Sequence, residues 1–174
     1  MTARPKGSTS AAMDRKPPRV AALASDRRPF HFPLMQRTAA CHCGSLTLSC
    51  EGEPAKISLC HCLDCQRRTG SLFSVAAFYP RERVRVAAGE AASFRRPSAS
   101  GFDVTFHFCP RCGSTLWWNA ERLPHLAGVA AGAFADPDFP MPQQAVWTKD
   151  RHRWLRLPED IPCHLENPVR PPGR

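Results

Sequence analysis

Residues 60–65 have the sequence Cys60-His61-Cys62-Leu63-Asp64-Cys65, which places three thiols within six positions. In an extended segment residues i and i+2 project from the same face, so Cys60 and Cys62 can reach one metal ion while His61 points the other way. Residues 55–60 are predicted to form a strand, and residues 62–70 a helical turn closed by Gly70. The segment therefore predicts a metal site at the end of a strand.

Two further cysteine clusters flank this segment, namely Cys41-His42-Cys43 and Cys109-Pro110-Arg111-Cys112. A disulfide framework usually spreads its cysteines, whereas tight clusters are typical of metal ligands. His42 is predicted to point away from the thiols, as His61 is. The two isolated cysteines, Cys50 and Cys163, are predicted to be small buried apolar residues.

Seven clustered thiols are best divided into four and three. Four thiolates close a zinc site and make it structural, whereas three leave a fourth position for water or substrate. The natural trio is Cys60, Cys62 and Cys65, which leaves Cys41, Cys43, Cys109 and Cys112 for the closed site. Spacing alone does not prove this partition, and an iron–sulfur cluster is an alternative.

Outward from the clusters, short alternating segments predict an all-β domain. The clearest strand is 102–108, where Phe102, Val104, Phe106 and Phe108 alternate with polar residues. Residues 136–162 are rich in Pro and Trp and are predicted to be irregular. The aromatic stripe is interpreted as core rather than as a platform for stacking bases; it comprises Phe102, Phe106, Phe108, Trp117 and Trp118. The other predicted strands are 45–51, 72–79, 83–87, 92–96, 115–119 and 125–134.

Length, charge and hydropathy exclude several classes of protein. A chain of 174 residues suits one domain with a real core. The longest apolar run, residues 126–135, is half the ~20 residues that a membrane span needs, so a membrane protein is excluded. The net charge is +9, of which residues 1–37 carry +6, so only this tail could contact nucleic acid, and weakly.

The basic N-terminal segment, residues 1–36, is predicted to be a disordered tail because it lacks a periodic apolar pattern. Its apolar run 20–24 is too short for a secretory signal. A transit peptide, a polyanion-binding arm and a true start at Met35 are the alternatives. The folded domain is predicted to span residues 37–166, followed by a flexible C-terminus at 167–174.

Three motifs together resemble the glutathione-dependent formaldehyde-activating enzyme family, which includes the centromere protein V type domain. They are Thr38-Ala39-Ala40-Cys41-His42-Cys43-Gly44, Cys60-His61-Cys62-Leu63-Asp64-Cys65-Gln66-Arg67-Arg68-Thr69-Gly70-Ser71 and Phe108-Cys109-Pro110-Arg111-Cys112-Gly113-Ser114. The resemblance runs from about Arg37 to about Leu165 and implies a zinc-stabilised, Mss4-like β-fold.

The resemblance also implies the ligand sets and the chemistry. Cys41, Cys43, Cys109 and Cys112 would hold a structural zinc, and Cys60, Cys62 and Cys65 a catalytic-type zinc. The implied activity is that of a carbon–sulfur lyase, in which glutathione or a related thiol adds to formaldehyde or another aldehyde to give S-hydroxymethylglutathione. Family members begin shortly before the first cluster, which favours Met35 as the start.

Several side chains near the clusters are candidates for supporting roles. One hypothesis is that Arg67 or Arg68 clamps a carboxylate of glutathione, and the favoured alternative is that both are solvated surface charges. His61 and His107 are candidate proton shuttles, and Asp64 is predicted to cap the turn or orient a neighbour.

Two other functions remain open. One is a non-catalytic binding or scaffold module in which both zincs are structural, and the other is an enzyme with the same zinc chemistry but a different thiol or aldehyde. A small-molecule thiol and aldehyde are the expected partners. Reduced, metal-binding thiols favour a cytoplasmic location.

Overall fold

The computed structural model describes residues 35–168 of the chain. The predictions for residues 1–34 and 169–174 lie outside these described residues. Within them the protein is mostly β-sheet with one short α-helix, which confirms the predicted all-β class.

The strands are short, and most are bounded by turns or by the cysteine clusters. Helix α1 (Leu63–Thr69) ends at Gly70, whose φ of +65° suits a left-handed cap. Short 3₁₀ turns lie at Arg81–Arg83, Ala131–Phe134 and Thr148–Asp150. The strands are β1 (Gln36–Ala40), β2 (Thr47–Glu51), β3 (Lys56–Cys60), β4 (Ser74–Pro80), β5 (Val84–Ala88), β6 (Ala92–Pro97), β7 (Asp103–Phe108), β8 (Thr115–Ala120), β9 (Leu126–Ala130) and β10 (Gln144–Val146).

The strands form two sheets. The smaller has the order β1-β2-β5 and the larger β10-β3-β4-β9-β8-β7-β6. All pairs are antiparallel except the parallel pair of β10 with β3. Strands β1 and β10 were not predicted from the sequence.

The two sheets share one apolar core. Leu46 and Leu48 of the β2 region pack with Ile57, Tyr79 and Val129 of the larger sheet, and all five side chains are buried. Burying a large apolar side chain contributes roughly 1.5–3 kcal/mol, so this layer is a main source of stability. One face of the larger sheet is thus covered, and its opposite face is left to form a cleft.

Residues from six strands line up across that opposite face, and we call this line the aromatic row. In order across the sheet they are Lys56, Phe78, Gly128, Trp118, Phe106 and Phe94. At its centre an added Cβ on Gly128 would lie 2.6 Å from two atoms of the Trp118 indole. Glycine is therefore needed there so that the indole can lie flat on the sheet.

The predicted aromatic stripe divides between two environments. Phe106 and Trp118 lie on the cleft face, whereas Trp117 packs on the opposite face against His107, with ring centroids 4.4 Å apart. Phe102 is 46% exposed at the cleft rim, so the prediction that it belongs to the core was wrong. Alternation identifies which residues share a face but not whether that face is covered.

Candidate metal centres and cleft

The three thiols of 60–65 converge where β3 passes into α1, and we call them the trio. Cys60 ends β3, Cys62 is the N-cap of α1, and Cys65 lies in the first helical turn. Their Sγ atoms lie within 4.8 Å of one another. The backbone N–H of Cys65 donates to Cys62 Sγ at 3.4 Å, which fixes the turn.

The trio favours thiolate at its centre. Hydrogen bonds from the Cys60 and Cys65 side chains lower the pKa of the Cys62 thiol to about 3. The hydrogen bond with Cys62 in turn raises the pKa of the Cys60 thiol. Because thiolate is the form that binds metal, this arrangement is prepared for a cation.

The other four clustered cysteines, which we call the quartet, come from two turns. Cys41 and Cys43 follow β1, whereas Cys109 and Cys112 lie in the β7–β8 turn. The Sγ atoms of Cys41 and Cys43 are 3.6 Å apart, and those of Cys43 and Cys109 are 3.8 Å apart. Tetrahedral zinc with bonds of about 2.3 Å to sulfur requires about 3.8 Å between sulfurs. The quartet therefore has the spacing of a closed four-thiolate site.

Serine hydroxyls surround the quartet. Ser45 Oγ lies 3.1 Å from Cys43 Sγ and 3.3 Å from Cys109 Sγ. Ser114 Oγ lies 3.3 Å from Cys112 Sγ, and this hydrogen bond is the main cause that lowers the pKa of Cys112 to about 5. The Ser114 contact thus favours the thiolate form of Cys112. By the spacing of their sulfur atoms, both the trio and the quartet can hold a metal ion.

The trio opens on the cleft, and the quartet does not. The cleft has a volume of about 1670 Å³, and Cys60, Cys62 and Cys65 are all among its lining residues, whereas none of the quartet cysteines is. Ser58 and Ala76, two small residues of neighbouring strands, separate the trio from the aromatic row. The small side chains leave room beside the thiols for a molecule lying on the aromatic floor.

Arg68 extends from the last turn of α1 into the cleft. Its Nη2 donates to Ser74 Oγ at 2.7 Å, and its guanidinium lies 4.6 Å from the Trp118 ring centroid and 5.2 Å from that of Phe106. The Nε of Arg68 is buried and has no hydrogen-bond partner within residues 35–168. A guanidinium that lines a cleft and is fixed by stacking is suited to bind a carboxylate or another oxyanion.

Arg67, the other predicted clamp, lies in a different environment. Its side chain is 76% exposed, and its Nη1 atom makes a long contact of 4.0 Å with Asp64 Oδ1. Asp64 also pairs with Arg96 Nη1 at 3.0 Å and so ties α1 to β6. Asp64 is not the N-cap of α1, since the Cys62 side chain takes that role.

No histidine of residues 35–168 belongs to either thiol cluster. His61 is fully buried with its ring 6.0 Å from that of Phe73, and neither ring nitrogen has a partner among the described residues. His107 stacks on Trp117 and is not among the cleft-lining residues, so a proton-shuttle role at the trio does not fit its position.

The two isolated cysteines differ. Cys50 is fully buried, and burial raises the pKa of its thiol to about 12, which confirms the prediction for this residue. Cys163 is exposed, so the prediction of a buried residue was wrong. Its segment reaches the β10 edge through a single bridge to Ala145 and leaves the thiol outside.

Sequence reasoning missed the cleft residues Lys56 and Ser74, and also Gly128, which lies against the Trp118 indole. Their positions depend on which strands pair, and no local motif marks them. The one available signal is alternation, because Lys56 lies four residues before Cys60 and therefore on the same face of β3.

The fold and the two cysteine centres define an all-β protein with one closed site of four thiols and one open site of three at a cleft. The chain belongs to the glutathione-dependent formaldehyde-activating enzyme family, whose model matches residues 36–150. None of the helices in the described part of the chain has the length and apolar character of a membrane span.

Two known proteins are similar to this chain. A Colletotrichum graminicola protein named "Putative glutathione-dependent formaldehyde-activating enzyme" is 32% identical over 90 residues, which cover 51% of this chain and 46% of that protein. The chain thus matches about half the length of this relative. The crystal structure of a Rhodobacter sphaeroides protein aligns with a TM-score of 0.43 and 22% identity, over 55% of this chain and 85% of that one.

Proposed function

We propose that this protein is a zinc-dependent carbon–sulfur lyase that joins glutathione, or a related thiol, to formaldehyde or another aldehyde. The observation that carries the proposal is the difference between the two thiol clusters: the trio lines the cleft and the quartet does not. Family membership supports the same chemistry. The proposed product with glutathione and formaldehyde is S-hydroxymethylglutathione.

Zinc fits both sets of thiols. Cys41, Cys43, Cys109 and Cys112 would hold a structural ion, and Cys60, Cys62 and Cys65 an ion with an open position. The chemistry that zinc supplies at an open site of this kind is ionisation of a thiol and polarisation of a carbonyl.

The remaining task of the chain is to bind and orient the reactants. Arg68 lines the cleft and would hold an anionic oxygen of the thiol substrate through its guanidinium, which Trp118 and Phe106 keep in place. In the reaction a C–S bond forms, the carbonyl π bond breaks, and the proton leaves the thiol and reaches the carbonyl oxygen. The step needs no oxidant or reductant.

The location and the domain limits are also part of the proposal. A cytoplasmic location would keep the seven clustered thiols reduced and available for zinc. A catalytic domain over residues 37–166 contains both thiol clusters and the strands that form the cleft.

The test is the exchange rate between free glutathione and its formaldehyde adduct, measured by two-dimensional exchange NMR with zinc-loaded protein. We expect faster exchange than in a sample without protein, because the reaction also runs spontaneously. Cys62→Ser should return the rate to that background, whereas Cys163→Ser, which changes an exposed cysteine outside both clusters, should keep it.

The other outcomes separate the alternatives. A wild-type rate equal to the background with glutathione, but not with another thiol, would move the activity to that thiol. Background rates with every thiol and aldehyde tested would leave a zinc-stabilised binding module.

A further inference from the structure

A second group of basic side chains lines the cleft, away from the trio. Lys56 begins β3 and faces the cleft on the same side of the strand as Cys60. Four residues of extended strand separate the two Cα atoms by about 13 Å. Arg122, in the turn after β8, lines the same cleft.

Lys56 and Arg122 both lack an acidic partner within residues 35–168. The Lys56 ammonium lies 4.7 Å from the centroid of the Phe78 ring at the end of the aromatic row. Arg122 Nη2 donates to the carbonyl oxygen of Pro168 at 2.7 Å, which is a neutral acceptor. Lys56 is paired with Phe78 near the Pro80 end of β4, and Arg122 lies in the β8–β9 turn at that same end, where Leu126 is paired with Pro80. Burial and then the positive charge of Arg122 lower the pKa of Lys56, which agrees with this placement.

The acids that line the cleft are already engaged. Asp64 pairs with Arg96 at 3.0 Å, and Glu166 pairs with Lys149. Partly buried cations that repel each other and lack a counter-ion are stabilised when a ligand brings a negative charge to them.

From this arrangement we infer that Lys56 and Arg122 form a carboxylate subsite, which holds the end of the thiol substrate that lies farthest from its sulfur. The inference rests on the proposed function and adds to it two side chains that would select a thiol with a distant carboxylate over a short thiol. In glutathione the thiol is on the central residue, and the γ-glutamyl carboxylate, the one farther from the sulfur, lies about 9 Å from it in an extended chain, so the Lys56 side chain reaches the remaining distance. A single amino acid such as cysteine is too short to engage the trio and this subsite together.

Arg68 and the Lys56–Arg122 subsite lie at different distances from the thiols. Arg68 contacts Ser74, which is paired with Cys60 across β3 and β4, so it serves an oxygen near the sulfur. Lys56 is paired with Phe78, at the other end of the same two strands. The cleft thus offers one basic group for each end of a dianionic substrate, and the aromatic row supports the part between them.

The test measures binding and does not need turnover. S-methylglutathione, which has no free thiol, and its two monoamides are titrated into the zinc-loaded full-length chain by isothermal calorimetry. The monoamide that lacks the carboxylate farthest from the sulfur should bind the wild-type protein about tenfold more weakly than S-methylglutathione, because it loses the contact with Lys56 and Arg122.

The variants identify where that carboxylate binds. The Lys56→Gln/Arg122→Gln variant should bind S-methylglutathione about tenfold more weakly than the wild-type protein does. Because the subsite is lost, this variant should bind S-methylglutathione and the monoamide that lacks the carboxylate farthest from the sulfur with equal affinity. Lys56→Arg/Arg122→Lys, which keeps both charges, should retain the discrimination. Arg85→Gln removes an exposed charge from β5 in the other sheet and should leave all affinities unchanged.

Several results would overturn the subsite. They are absence of S-methylglutathione binding to the wild-type protein, an unchanged affinity in the Lys56→Gln/Arg122→Gln variant, and equal weakening of all three ligands in that variant. The exchange measurement is independent of these results. A subsite that binds without exchange above background would remove the proposed reaction alone, and exchange without charge discrimination would remove the subsite alone.

Discussion

Gly128→Ala is expected to disturb the cleft floor from its centre. The new methyl group would lie 2.6 Å from Cε2 and Nε1 of Trp118 and 2.9 Å from its Cζ2. The indole has little room to retreat, because Trp118 is 9% exposed and packs edge-on against Phe78 with the Phe106 ring on its other side.

The expected cost follows from two opposing effects. Overpacking a rigid aromatic costs about 1–3 kcal/mol. Replacing glycine by alanine lowers the conformational entropy of the unfolded chain, which stabilises the folded state by about 0.4–1 kcal/mol. The net loss of about 1–2 kcal/mol corresponds to a thermal midpoint lower by about 3–8 °C. Arg68 stacks on the same indole, so its position should shift as well.

Thermal unfolding of the zinc-loaded protein, followed by circular dichroism, measures this loss. Gly132→Ala is the matched control, because an added Cβ there meets no atom within 4 Å and φ is not positive, so its midpoint should be equal or higher. A double variant with Trp118→Phe removes the clashing atoms and should lose less than the two single changes combined. Equal midpoints for Gly128→Ala and Gly132→Ala would refute the packing argument.

Three other perturbations test the metal centres, the arginine and the core. Native mass spectrometry should show that Cys109→Ser and Cys62→Ser each lose one zinc equivalent. Only Cys109→Ser should lower the thermal midpoint strongly, because only the quartet joins the β1–β2 turn to the β7–β8 turn. Similar midpoints for the two variants would contradict this division. Arg68→Lys should slow thiol–aldehyde exchange about tenfold, because an ammonium group does not replace a planar guanidinium stacked on an indole. Arg67→Lys, on the exposed side of α1, should leave the exchange rate unchanged. Equal rates for the two variants would contradict a role for the Arg68 guanidinium. Burial raises the pKa of Cys50 from 9.0 to about 12, so between these pH values the unfolded state releases the thiol proton while the folded state keeps it. The free energy of unfolding should therefore fall by about 1.4 kcal/mol per pH unit between pH 9 and pH 12. Cys50→Ala should show a shallower alkaline fall of the urea midpoint, and parallel curves for the two proteins would count against this linkage.

Local sequence patterns were sufficient to predict the trio and the strand that carries the aromatic residues, whereas the pairing of Cys41 and Cys43 with Cys109 and Cys112 came from the family resemblance. The i, i+2 spacing of Cys60 and Cys62 depends only on extended backbone, and the structure indeed gathers them with Cys65 at the end of β3. The alternation over 102–108 likewise predicted β7 to within one residue. Such patterns need no knowledge of distant partners.

Features that depend on pairing could not be predicted in this way. Strand β10 has three residues and exists because it pairs with β3, and the aromatic row requires the register of six strands. Arg67 and Arg68 are adjacent in sequence, and only the direction of α1 over the cleft distinguishes the exposed one from the stacked one.

The two thiol clusters also differ in how much chain they enclose, and this difference bears on biosynthesis. The trio lies within one short segment, whereas Cys43 and Cys109 of the quartet are 66 positions apart. Closing the longer loop costs about 2 kcal/mol more in chain entropy, and it must await synthesis of the second pair of ligands. The nascent chain therefore exposes all three trio thiols before the second pair of quartet cysteines has been synthesised, so the two sets of thiols are completed in a fixed order.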